Sequence, residues 1–274
     1  MSLKRRSEPA EFYIGYLPKS GNEYKKFVRI VIFALVVVSY ITASFIVSNQ
    51  RGFSNGIYDR DRFTELEGVL MLKPFAAIKT FYGKDIYGNP VVKTIPLVNY
   101  GKAGADAIVQ SISEKNHAEL DKLWVKLRGK LIYKQGAVII ELSEKEKSVL
   151  TVSKISAEQM NSIPAPQTRD LDSVTLFGQI VDPKCFLGVM KPGEGKPHSD
   201  CAIRCIAGGI QPLLMVRDET GAETYFVLRD ENDNPLNEAV LPFVGQPVSI
   251  TGDLFSIDDW LVLKINPATA IKKI

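Results

Sequence analysis

The chain has 274 residues, 24% of them charged, a mean hydropathy of 0.00 and a formal charge of +3, the balance of a globular protein with one apolar insert. In residues 1–48, seven basic residues against three acidic ones leave +4, so the remaining 226 residues sum to −1. A near-neutral body is poor material for neutralising phosphates, and no nucleic-acid partner is expected.

Residues 1–26 hold an aromatic patch, Phe12 to Pro18, followed by polar KSGNEYKK. The patch reads either as an interfacial anchor or as a docking segment for a membrane partner. From Phe27 to Ser48 (FVRIVIFALVVVSYITASFIVS) there is no charge after Arg29. That run is long enough to cross a bilayer as a helix of about 20 residues. The basic excess before it places residues 1–26 in the cytoplasm and residues 49–274 outside it, with the bilayer as the first partner. Thr42-Ala43-Ser44 offers a signal-cleavage site, but the long leader and the apolar run beyond it favour an uncleaved anchor.

Gln50 to Asp61 is polar and reads as a juxtamembrane spacer. Residues 63–72 alternate as a strand, and 90–98 (PVVKTIPLV) read as an edge strand or a bulge because of Pro96. Over Asp106 to Leu127, Ile108, Ile112, Leu120, Leu123 and Leu127 repeat at helical spacing. Strands are expected over 124–133, overlapping that helix, and over 137–142 and 149–155, with Lys134-Gln135-Gly136 as a turn. Residues 154–173, with Pro164-Ala165-Pro166, read as a linker. Strand patterns resume at 174–181, 212–217, 223–228, 248–255 and 260–265.

The halves repeat weakly. Leu66-Glu67-Gly68-Val69-Leu70 matches Leu176-Phe177-Gly178-Gln179-Ile180. The runs 125–131 and 138–142 match 248–254 and 261–265. Mid-strand glycines followed by a final hairpin fit a five-stranded Greek-key barrel, in which strands must bend sharply to close. The expected fold is mainly β: a transmembrane helix (27–48), a first β-rich domain (49–153), and a second OB-like barrel (174–274) with a Cys/His insert (182–209).

In that insert, Lys191 to Pro197 must be loop. Ser199 or Asp200 offers an N-cap, Cys201 to Ala207 a short helix, and Gly208-Gly209 its stop. Cys201 and Cys205 share a helix face, and Cys185 is brought back by the loop. Three readings stay open. Cys185 bonds to Cys201 or Cys205 as a disulfide, in the oxidising space outside the cytoplasm. Alternatively Cys185, His198, Cys201 and Cys205 form a tetrahedral shell for Zn, or a soft one for Cu. Third, Cys201 at a helix N-terminus does thiol redox chemistry.

Asp230 to Asn234 opens like a calcium loop but has Pro235 at the glycine position, and it reads as a turn. Gly101-Lys102-Ala103-Gly104 is too short for a phosphate loop and reads as a helix entry. Asp258-Asp259 reads as a turn and His117 as solvated. With no nucleophile motif or acid/base pair, the expected role is non-enzymatic.

Residues 174–274 resemble a group of small secreted bacterial proteins with an OB-like fold and no assigned activity. The resemblance rests on Gly178, Asp182, Cys185, His198, Cys201, Cys205, Gly208, Val244, Gly245, Val248, Ile250 and Gly252. This chain adds an anchor and a second folded region. The resulting expectation is a single-pass bacterial inner-membrane protein with a periplasmic body, serving as an accessory or scaffold subunit of a membrane complex such as a respiratory or electron-transfer one. A metal or thiol-redox role for the insert is its rival.

Overall fold

The structure, a computed structural model, describes residues 22–49 and 55–274. The expectations for Phe12 to Pro18 and for residues 50–54 fall outside them. The chain forms two compact units, and the described residues of the first are a single helix.

Helix α1 (Asn22–Asn49) contains no Gly or Pro, and its Tyr24–Ser48 stretch has a mean hydropathy of 2.7 with none of it buried within the chain. At 1.5 Å per residue the stretch is about 37 Å long, enough for a bilayer core of about 30 Å. In hydrocarbon a helix satisfies its own backbone groups, so the many β-branched residues cost little helicity there. The Ser48 hydroxyl also donates to the Ser44 carbonyl at 2.7 Å.

The second unit holds two closed five-stranded barrels. Its elements are β1 (Ile57–Tyr58), β2 (Thr64–Met71), β3 (Ala77–Lys84), β4 (Pro90–Asn99), α2 (Asp106–Asn116), β5 (Leu123–Lys134), β6 (Ala137–Leu142), β7 (Val149–Lys154) and α3 (Ala157–Ser162). There follow β8 (Thr168–Val181), α4 (Ser199–Ala207), β9 (Leu213–Arg217), β10 (Glu223–Arg229), α5 (Asn237–Val240), β11 (Pro247–Ile257), β12 (Trp260–Lys264) and β13 (Ile271–Lys273).

The first ring runs β2-β3-β4-β6-β5 and back to β2; the second runs β8-β9-β10-β12-β11 and back to β8. In each, only the pairing of the third strand with the fifth is parallel, β4 with β6 and β10 with β12. A helix joins third to fourth strand in both, and a sixth strand, β7 or β13, extends the fourth. This is the OB arrangement twice over.

The repeated glycines explain the closure. A Cβ on Gly68 would land on the Lys79 carbonyl oxygen, and one on Gly178 on that of Met215. Gly129 and Gly252 meet the Glu141 and Lys264 oxygens in the same way. Only a residue without a side chain lets the strands approach at these bends.

Each barrel has its own core, with Ile108, Val109 and Ile112 of α2 plugging the first and Ala202, Ile206 and Val240 the second. A third core lies between the barrels. It joins Phe75, Ala77, Val98, Ile132 and Ile139 of the first to Val181, Phe186, Leu187, Trp260 and Val262 of the second. The Phe75 and Trp260 rings meet edge to face at 5.4 Å, and the Trp260 indole N–H donates to the Thr94 carbonyl at 2.7 Å. Three ion pairs also cross this joint: Lys79–Asp258 at 2.9 Å, Lys134–Glu223 at 2.8 Å and Lys184–Glu141 at 2.5 Å.

Several expectations need correction. The helix ends at Asn116, because His117 adopts a left-handed conformation (φ 48°). Leu123 and Leu127 lie instead on β5, alternating inward with Val125. Strand β3 was not expected: Ala77 to Thr80 are all buried, on the barrel side and the joint side alike, which removes the alternation that marks a strand. Strand β4 is not an edge, since β3 and β6 flank it. Leu97 N–H points to β3, so Pro96, lacking a donor, faces the β6 side, where pairing starts only at Leu97. The stretch read as a linker holds α3, closed by a Ser156–Gln159 capping box, and β8 already begins at Thr168. Within the spacer, Ile57 and Tyr58 pair with β5.

Candidate functional site

The cysteine insert leaves β8 at Asp182, whose side chain is fully buried. Its Oδ1 accepts the Cys185 N–H at 2.9 Å, and its backbone carbonyl accepts that of Phe186. These bonds turn the chain where Cys185 joins the core between the barrels. Helix α4 then starts at Ser199 with His198 as its N-cap residue, not with Ser199 or Asp200 in that role. Gly208 ends it where a Cβ would strike the Lys102 carbonyl oxygen.

This geometry brings the Cys185, Cys201 and Cys205 sulfurs within 4.8 Å of one another. Cys185 and Cys205 are buried and Cys201 is half-buried. No disulfide joins Cys185 to Cys201 or Cys205; all three are free thiols. A hydrogen bond from Cys185 pulls the Cys205 thiol below its usual range, with the Lys102 ammonium helping. The same bond, with burial, pushes Cys185 up. Within the pair Cys205 is therefore the thiol that gives up its proton first, with Cys185 as its donor.

His198 is buried 16 residues from Asp182, and its Nε2 lies 3.3 Å from Asp182 Oδ2. Asp182, Cys185 and His198 form a second group of donor atoms within 4.8 Å, sharing only Cys185 with the first. The expected four-residue shell is thus divided: the three sulfurs converge, while His198 is turned toward Asp182. Three thiolates supply three corners of a Zn tetrahedron, leaving the fourth to His198 or solvent, or they supply a complete trigonal site for Cu(I).

Sequence reasoning passed over two lysines. Lys102, from the loop after β4, donates to Cys201 Sγ at 3.4 Å, and the Gly104 N–H donates to the Gly208 carbonyl at 2.9 Å. Lys184 Nζ donates to the Asn99 and Gly101 carbonyls at 2.9 and 2.7 Å. The first barrel therefore completes the site built on the second. The signal was the short Gly101 to Gly104 stretch, whose glycines allow this approach. Asp230 to Asn234 is an Asx-type turn, and Asp258 belongs to the joint between the barrels. No protein-family model matches this chain, and no curated protein matches it either.

Proposed function

We propose that this chain is a non-enzymatic accessory subunit, anchored by α1 in a bacterial inner membrane, whose two-barrel body scaffolds a larger membrane complex from the periplasmic side. The observation that carries this reading is the combination of a membrane-length helix with a body whose two barrels share one apolar and ion-paired joint. A rigid body of that kind presents two barrel surfaces in fixed relation, which suits scaffolding. The basic residues before α1 support the orientation. The test is purification of the full chain from native membranes in mild detergent. Stoichiometric integral-membrane subunits in the same particle are expected; a chain that elutes alone sinks the reading.

The converging sulfurs favour a second reading, a Zn or Cu site or a redox-active thiol cluster. Elemental analysis of the purified protein decides it. One metal per chain, lost in Cys201→Ser, is expected on this reading, and metal-free protein defeats the metal site.

A further inference from the structure

Between the barrels, lined in part by Pro183 and Gly209, lies a cleft of about 300 Å³. That is the lower end of the range for small-ligand sites, roughly 300–1,000 Å³. Its apolar lining includes Phe75, Leu97 and Val98 from the first barrel and Pro183 and Pro235 from the second, beside polar Gln211, Asp233 and Asn234. At one side stands Arg229, the last residue of β10, only 5% exposed.

Arg229 is poorly satisfied for a buried cation. Nη1 donates to Gln211 Oε1 at 3.0 Å, Nε has no partner, and the residue forms no ion pair among the described residues. The neighbouring carboxylates are Asp106, Asp230 and Asp233. Asp233 is held by Lys264 at 2.8 Å, and Asp230 accepts from Asn232 and Asn234. Lys73 and Asp106 also line the cleft, and its charges balance, but none of these three carboxylates forms an ion pair with Arg229 among the described residues. Burial pulls the guanidinium below its usual range. Buried polar groups are nearly always hydrogen-bonded, so a buried guanidinium whose Nε has no partner marks a missing acceptor. A carboxylate matches the guanidinium fork in two parallel bonds.

We propose that this cleft binds a small organic carboxylate with an apolar body, its carboxylate on Arg229 and its body between the two barrels.

The test uses the full chain in detergent, with 4-methylpentanoate, benzoate and phenylacetate as probes, each beside its uncharged amide, followed by saturation-transfer NMR. At least one carboxylate is expected to bind ten times or more tighter than its amide, and Arg229→Gln to abolish the difference. Because Arg229→Gln is exposed to folding loss, Asp106→Asn provides the second arm. Removing that competing carboxylate from an exposed helix start, with asparagine keeping an acceptor for the Ala76 N–H, should tighten carboxylate binding several-fold. Equal binding of each acid and its amide, no binding of any probe, or no gain in Asp106→Asn overturns the proposal.

Discussion

Lys184 and Glu141 form an ion pair at 2.5 Å across the two barrels, with each side chain only 4% exposed. Both partners are otherwise satisfied: Lys184 by the Asn99 and Gly101 carbonyls, Glu141 by the Tyr58 and Ser143 hydroxyls. Removing one partner leaves a buried uncompensated charge, which costs about 3–5 kcal/mol, whereas replacing both with apolar groups is often neutral. Lys184→Met is therefore expected to lower stability by about that amount, and Lys184→Met with Glu141→Leu to recover most of it. Urea unfolding of both variants checks this; equal losses would show that the pair is not coupled.

Acid should loosen the same joint. Burial alone would raise the Glu141 and Glu223 carboxyls, but the Lys184 and Lys134 ammonium groups, with hydroxyl donors, outweigh it and hold both below the usual range. A depressed carboxylate contributes stability above its unfolded value, about 4.3, and loses it as pH falls through the folded value. The melting temperature is thus expected to be flat from pH 7 to about 5 and to fall steeply below about 4. Glu223→Gln should be less stable at pH 7 and show a shallower acid limb. An unchanged limb would remove Glu223 from the account.

The four barrel glycines predict a graded series. At Gly68, Gly129, Gly178 and Gly252 an added Cβ meets a neighbouring strand's backbone oxygen, which cannot move aside. Alanine at each should cost about 3 kcal/mol or more, at or beyond the top of the overpacking range. Gly88 has open space around it but a φ of +83°, so Gly88→Ala should cost only the left-handed penalty of about 1–2 kcal/mol. Thermal unfolding ranks the five variants, and a Gly178→Ala protein as stable as Gly88→Ala would contradict the bend.

Alkylation should separate the thiols. Cys201 is half-buried, whereas Cys185 and Cys205 are 5% and 1% exposed. Reactivity needs access as well as a thiolate. Iodoacetamide on the native protein, followed by peptide mass spectrometry, is expected to label Cys201 first, leaving the other two until the chain unfolds. Simultaneous labelling of all three would mean that the cluster opens in the native state.

What was legible in the sequence followed from one-sided burial. The hairpin of β11 and β12, with Val248, Ile250, Val262 and Leu263 buried, carries its pattern locally, as does the one-turn spacing of Cys201 and Cys205. The joint was not legible. Lys79, Lys134 and Lys184 look like solvated surface lysines, because their buried partners lie far along the chain, 179 residues away for Asp258 and 89 for Glu223. Strand β3 was hidden for the same reason, its outward face being covered by the other barrel. His198 sits at the foot of α4, as its place in the sequence implies, but nothing local reveals that its ring meets Asp182.

The third core has a consequence for the order of events during synthesis. The first barrel is complete once β7 has been made, yet Phe75, Ala77, Val98, Ile132 and Ile139 are covered only by residues from Val181 to Val262. For that interval a closed barrel shows an apolar face beside Lys79 and Lys134, whose partner carboxylates do not yet exist. Such half-assembled species are prone to aggregate. Defects late in the chain, at Trp260 or Asp258, should therefore be felt as lost yield of the whole body, because β12 is the latch on a domain finished long before it.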